Sequence, residues 1–258
     1  KVEQSCELLK SAAELTLQVT AGGTKEEKTT QINVLSLLGK ASMRLRQWAE
    51  AAEAFQSVVK IEEEIFSMDN RDEREALSSA YNNLGIARKS SGHMREAVEA
   101  LNEAYLRATN GDDQVATPQA AQILQNVAQC LVAQKRLPDA QKMYCRALDI
   151  GTRIFGPRHT TLAITHMAIA RCVRDQGLVR EAIESYAKAM EIWMEKTLDE
   201  CLKEMPEVPS KERLAQLQQQ CKAELAQLVI IAEQVQKQGP PAAGAEGGAL
   251  PVTDAAPP

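Results

Sequence analysis

The chain has 258 residues, 44% apolar and 25% charged, a balance that suits a globular protein with a sizeable core and does not separate an enzyme from a scaffold. A net charge of -5 excludes any global attraction to nucleic acid or an anionic membrane, and the longest apolar runs, such as "LAQLVIIA" at 225–232, are far too short to span a bilayer. Aromatics make up only 3% and the strand-forming residues rarely alternate, whereas Ala, Leu, Glu, Gln, Lys and Arg dominate, so the chain is predicted to be all-α.

The sequence opens at Lys1 inside a helical pattern, with no initiator Met, basic n-region or apolar h-region. No secretory signal is read in it, and the chain is open to being a piece of a longer one. Residues 1–24 place Ser5, Leu9 and Ala12 where the second helix of a truncated repeat would have them. From residue 30 one pattern then recurs four times, over about 30–68, 76–109, 118–155 and 160–197. Small residues Gly39, Gly85, Ala128 and Ala170 stand in register, at intervals of 46, 43 and 42 residues. Twelve places on comes alanine, at Ala51, Ala97, Ala140 and Ala182. Sixteen places on comes a large apolar residue, Phe55, Leu101, Tyr144 or Tyr186, and nineteen places on come Val58, Ala104, Ala147 and Ala189.

This spacing predicts antiparallel helix pairs. Small residues let two backbones approach, and the large residue fills the gap between one pair and the next. The intra-repeat turns fall on "SSGH", "KRLP" and "DQGL", where Gly92 and Gly177 suit a left-handed helix end and Pro138 a helix first turn. In "RIFGPRHTTLAITHMAIA", residues 153–170, Gly156 and Pro157 end one long helix and Thr160 or Thr161 is expected to cap the next.

After the fourth copy "MPEVPS" breaks the helix and Ser210 caps a helix over 210–238. Leu214, Leu217, Cys221, Leu225, Leu228, Ala232 and Val235 form its apolar stripe. Its predicted role is to cap the last face of a stacked array, with coiled-coil contact to a partner as the alternative. The Pro/Gly/Ala-rich tail, 239–258, is predicted to be disordered.

The registered small residue, alanine, aromatic and alanine resemble the tetratricopeptide repeat, and the period near 42 with the junction "YCRALDIGTRIFGPRHTTLA" resembles the long-period repeats of kinesin light chains. The usual proline near the end of the repeat is replaced by Glu63, Thr109, Thr152 and Met194, so the second helices should run on. The resemblance implies a right-handed superhelical solenoid of helix pairs whose first helices line a concave groove for a peptide or a partner's helix.

Catalytic chemistry has little support in the sequence. His159 falls in an inter-repeat corner, His93 in an intra-repeat turn and His166 at a half-buried packing position, none with a carboxylate or nucleophile at useful spacing. The six cysteines show neither C-x-x-C nor metal-ligand spacing. Reduced thiols in a cytosolic type of compartment are expected, and Cys130 and Cys172 occupy small buried places. Acidic runs such as "IEEEIF" at 61–66 read as solvated faces. No Gly-rich phosphate loop or hydrolase motif is present, so no cofactor, no metal and no enzyme activity are expected.

By the resemblance, the groove places of the repeats supply Lys40 and Arg44 from the first copy, and Asn82, Asn83 and Lys89 from the second. The third supplies Gln122, Gln125, Asn126 and Gln129, and the fourth Arg171 and Arg174. Asn83 and Asn126 match the asparagines with which kinesin-light-chain-like repeats hold a peptide backbone, whereas Leu37 and Ala168 depart from them in the first and fourth copies. The plainer alternative is that these amides solvate the inner face or bond between neighbouring helices. Ser36 stands where a carboxylate-clamp lysine would be, which disfavours a cochaperone role.

The function read from this pattern is a non-enzymatic scaffold or adaptor for a protein partner carrying an acidic or mixed-charge segment, because cations mark both ends of the groove. The alternatives are a structural subunit of a large cytoskeletal, motor or ciliary assembly, or a regulatory domain of a larger protein. The expected location is the cytoplasm, with the cytoskeleton or a cilium as candidate sites. Nucleic-acid binding is not expected, since the groove lacks aromatic stacking platforms, nor is membrane insertion, since the apolar runs are too short to span a bilayer.

Overall fold

A computed structural model describes residues 7–13, 15, 23–65, 67, 70–112, 114–205 and 210–238. Among them every regular element is an α-helix: α1 (Lys25–Arg44), α2 (Trp48–Ile65), α3 (Arg71–Ser90), α4 (Met94–Thr109), α5 (Pro118–Ala133), α6 (Leu137–Phe155), α7 (Thr160–Asp175), α8 (Val179–Met194), α9 (Leu198–Glu204) and α10 (Lys211–Gln238). They form two compact units, Lys1–Gly156 and Pro157–Pro258. The tail 239–258, much of the expected N-terminal half-repeat and Cys6 lie outside the described residues; residues 7–13 are helical.

In the first unit, caps fix where each first helix starts. Thr24 and Glu27 make a reciprocal capping box on α1, Asn70 accepts from the backbone N–H groups of Asp72 and Glu73, and Thr117 accepts from Ala120 ahead of Pro118. Three helix pairs follow, α1/α2, α3/α4 and α5/α6. The registered small residues work as their spacing implies. A Cβ on Gly39 would lie 2.7 Å from the Phe55 ring, and one on Gly85 would lie 2.6 Å from Leu101 Cγ. Phe55 packs in a core with Leu35, Val58, Val59, Leu77 and Leu84, and Ala13 of the N-terminal helical stretch joins it.

One turn position recurs in the same register. Gly92 and Gly177 adopt φ of 88° and 83°, as the sequence predicts, while the equivalent places in the other two pairs hold Arg46 and Lys135 at φ of 60° and 61°. A side chain with a Cβ resists this left-handed conformation. Lys135→Gly should therefore raise the unfolding free energy by about 0.5 kcal/mol, the relief of strain exceeding the extra entropy of glycine. Denaturant titration checks the sign, which would be negative if Lys135 were unstrained.

The acidic run at 61–66 differs from the expected solvated face in one member. Glu62 is half-buried, and its Oε2 is buried with no hydrogen-bond partner among the described residues. Burial pushes its carboxyl up to about 7. The group favours folding fully below the ordinary value of 4.5, and that contribution is lost as pH rises through about 7. Glu62→Gln should thus match the parent in thermal midpoint near pH 5 and exceed it by a few degrees at pH 8. A difference independent of pH would show that the carboxylate is solvated after all.

In the second unit α7 and α8 form the fourth pair, with Ala182, Tyr186, Ala189, Ile192 and Trp193 buried along α8. The cap of α7 differs from the threonine cap expected. His159 occupies the N-cap and its Nδ1 accepts from the Thr161 N–H at 3.4 Å. Thr160 is the first helical residue and is fully buried, and it donates from its backbone N–H and its hydroxyl to Glu204 Oε2 at 2.8 and 2.6 Å. Glu204 belongs to α9, a short helix in a stretch to which the sequence assigned no element. Thr197 and Glu200 start it with a capping box. Lys196 adds contacts of 2.6 and 2.8 Å, and although burial opposes ionisation, these bonds hold Glu204 down at about 2. Ser210 caps α10 through the Arg213 N–H at 3.2 Å, and α10 packs along α8 with Leu214, Cys221 and Leu228 buried.

Candidate functional site: polar faces of the first helices

In the first unit the predicted groove residues project from the first helices α1, α3 and α5. Four of them meet. Asn126 is buried, 4% exposed, and its Nδ2 donates to Asn82 Oδ1 at 3.1 Å across the gap from α5 to α3. Lys89 Nζ donates to Asn126 Oδ1 at 3.4 Å and to Gln129 Oε1 at 2.6 Å. Burial lowers the Lys89 ammonium from its ordinary value. This chain of bonds satisfies an amide that would be costly to leave unpaired, and it locks α3 against α5.

The same seam continues towards the other end of the helices. Gln119 Nε2 donates to Ser78 Oγ at 3.0 Å and Ser79 Oγ at 3.1 Å, and Ser78 Oγ donates to the Ala104 carbonyl at 2.8 Å. Gln119 and Ser78 were not among the residues singled out from sequence. The signal for Gln119 lay in its spacing, since Gln119, Gln122, Asn126 and Gln129 share one helical face.

The remaining predicted residues of this unit stand apart from the network. Lys40, Arg44 and Gln122 are exposed and Asn83 is half-buried, and none makes a side-chain hydrogen bond or ion pair among the described residues. Gln125 is half-buried and has a partner.

In the second unit Arg171 and Arg174 project from α7, and both are engaged by the chain itself. Arg171 forms a fork on Glu224 of α10, Nε to Oε2 and Nη2 to Oε1, both at 3.0 Å. Arg174 reaches the same carboxylate at 3.8 Å and pairs with Asp175 at 2.8 Å. The Tyr186 phenol O–H also donates to Glu224 Oε2, and Gln220 Nε2 donates to Oε1 at 3.0 Å. Burial alone would raise the Glu224 pKa, but the bonds from Arg171 and Tyr186 prevail and hold it below the usual carboxylate range. Tyr186 is pushed up by burial first and by its bond to this carboxylate second. Glu224 was not singled out from sequence, and at a separation of 53 positions from Arg171 no local spacing could reveal the pair.

His166 is half-buried as expected, and burial lowers it to about 4, which keeps the ring neutral at pH 7. The described cysteines are free thiols, with Cys130, Cys172, Cys201 and Cys221 buried. Among the described residues no three His, Cys, Asp or Glu side chains gather as a metal site would need, and no helix is long and apolar enough to cross a membrane.

Stacked helix pairs with a registered small-to-large packing rule, presenting polar first-helix faces, define the class: a helical-repeat scaffold for protein interaction. The second, third and fourth copies of the repeat match the tetratricopeptide repeat. Residues 78–110 and 119–195 match the sequence profiles described as tetratricopeptide repeat. The fold is similar to the crystal structure of BtubC (BKLC) from P. vanneervenii, at 14% identity over 99% of each chain with a TM-score of 0.63. It is similar as well to that of a putative kinesin light chain with nearly identical TPR-like repeats from Podosopora anserina, at 17% identity over 75% of this chain and 88% of that one, TM-score 0.62. MamA is a third, at 16% identity over 75% of this chain and 93% of that one, TM-score 0.51. At these identities the likeness concerns the fold. No curated protein sequence was found to match.

Proposed function

We propose that the chain is a non-enzymatic adaptor that holds a partner's peptide or helix against the first-helix face of the first unit. The observation that carries this reading is the division of labour on that face. Asn82, Lys89, Asn126 and Gln129 bond to one another and make a rigid platform, and Lys40, Arg44, Asn83 and Gln122 offer donors and acceptors with no partner among the described residues. Polar groups fixed before binding lose little entropy on association. An amide can both donate to and accept from an extended backbone, which suits Asn83 and Gln122 to that task.

Lys40 and Arg44, unpaired among the described residues, favour an acidic or mixed-charge segment at the α1 end. Arg171 and Arg174 already hold a carboxylate and contribute to such a preference only if it leaves. The residues 1–24 half-repeat and the capping role of α10 belong to the same proposal, as does a cytoplasmic site of action with cytoskeletal or ciliary association.

Affinity purification followed by mass spectrometry, comparing the parent with a Lys40→Glu, Arg44→Glu, Asn83→Ala, Gln122→Ala variant, tests the reading. All four side chains lie outside the core, so the variant should fold with an unchanged thermal midpoint and lose at least tenfold of a defined set of partners. An unchanged set would sink it. The alternative, a structural subunit of a large assembly or a regulatory domain of a larger protein, is favoured by one observation, the exposed apolar Val229 and Ile230 on the outer side of α10. Polar replacement of those two would then disrupt assembly and leave the four-site partners in place.

A further inference from the structure

The second unit shows what its surface takes, because it already holds it. α10 lies along α8 and gives Glu224 to a pocket of donors from two other helices, Arg171 and Arg174 on α7 and Tyr186 on α8. The contact has two parts. A narrow apolar seam, Leu214, Cys221 and Leu228, recurs every seven residues, and Cys221 Sγ lies 3.9 Å from the Tyr186 carbonyl. Beside the seam one carboxylate accepts from a bidentate guanidinium, a phenol and the Gln220 amide of its own helix, with a second guanidinium at 3.8 Å.

We propose that the face formed by α7 and α8 is an exchangeable helix-binding site, held in cis by α10. The partner it fits in trans is an amphipathic helix with apolar residues at heptad spacing and a carboxylate where Glu224 stands. The proposal extends the adaptor reading to the second unit, and rests on it for the existence of a partner.

Two features make α10 exchangeable. Over 28 residues it buries three side chains among those whose burial is described, whereas α8 buries five over 16. An element with so few buried apolar contacts opens at lower free energy than the helices beneath it. The second feature is the selectivity of what it covers. With α10 lifted, Arg171 and Tyr186 lose the acceptor around which they are arranged, and a competing helix restores those charge-assisted bonds only if it brings a carboxylate of its own. A basic or neutral helix leaves them unpaired, so the site discriminates by charge as well as by shape.

Fluorescence anisotropy with a labelled synthetic peptide of residues 211–238 tests this on the full chain. The parent should bind the peptide weakly, because its own α10 competes. A Glu224→Ala chain, whose cis helix lacks the carboxylate, should bind the same peptide at least tenfold more tightly, and should bind a peptide carrying Glu224→Lys at least tenfold less tightly than the unmodified one. Equal affinity of the two peptides, or equal affinity of the two chains, overturns the proposal. A second measurement needs no variant: amide hydrogen exchange of the parent should show α10 opening at least tenfold faster than α8, and equal protection of the two helices overturns it too. Neither arm uses a cellular partner, so failure of the adaptor reading, seen as unchanged partners in the four-site variant, is told apart from failure here.

Discussion

Gly85→Val is expected to lower the unfolding free energy by about 3 kcal/mol and the thermal midpoint by roughly 8 °C. An ideal Cβ at this place would lie 2.6 Å from Leu101 Cγ, 2.8 Å from Leu101 Cδ2 and 3.2 Å from the Ala97 carbonyl oxygen. Leu101 is fully buried and the clash falls on its branch point, so rotation of a terminal methyl does not relieve it. The Ala97 carbonyl is backbone, so α3 and α4 have to move apart. Helix propensity works in the other direction, favouring valine over glycine by a few tenths of a kcal/mol, and a net loss therefore isolates the packing. Gly92→Ala is the control. A Cβ there meets nothing within 4 Å, and only the φ of +88° opposes it, at a cost of about 1 kcal/mol. Denaturant unfolding followed by circular dichroism separates the two; if Gly85→Val cost no more than Gly92→Ala, close approach of the paired helices would not be what the repeat encodes.

The same contrast explains why so much of the fold was legible in the sequence. Gly39 with Phe55 and Gly85 with Leu101 are sixteen residues apart, so the partners lie within one repeat and four copies in register reinforce one another. Local chemistry was legible too, in Pro138 at the start of α6, Ser210 before α10 and Gly156 at the end of α6. One local expectation was overturned and two features drew none. His159 took the cap expected of a threonine, because Thr160 turned inward to bond Glu204. Thr197 and Glu200 start the short helix α9, for which no expectation was drawn. Arg46 and Lys135 take the left-handed turn that Gly92 and Gly177 take in the other two pairs, and nothing in their local sequence marked it.

The site was legible only in part, because its bonds join distant repeats. Asn126 to Asn82 spans 44 residues, and Lys89 to Gln129 spans 40. The resemblance put all four on first-helix faces, and bonding between neighbouring helices stood only as the alternative reading of the amides. It had still less to say about Glu224, which lies outside the repeats and carries no counterpart in any other copy.

Arg171→Glu should cost about 3 kcal/mol, Glu224→Arg a similar amount, and the double variant with the charges exchanged less than the sum of the two. Removing the guanidinium fork leaves Glu224, with 17% of its side chain exposed, against a new like charge, and repulsion adds to the lost bonds. Glu224→Arg brings a third guanidinium towards Arg171 and Arg174 and removes the acceptor of the Tyr186 phenol. In the exchanged pair the fork re-forms in reverse, but Arg174 then faces a cation and Tyr186 still lacks its acceptor, so recovery should stop short of the parent by about 1 kcal/mol. Chemical unfolding in a Trp48→Phe background, where Trp193 buried on α8 is the remaining tryptophan, reports by intrinsic fluorescence on the unit that α10 covers. Additive losses would mean that Arg171 and Glu224 are neighbours without coupling, and α10 would then be held by Leu214, Cys221 and Leu228 alone.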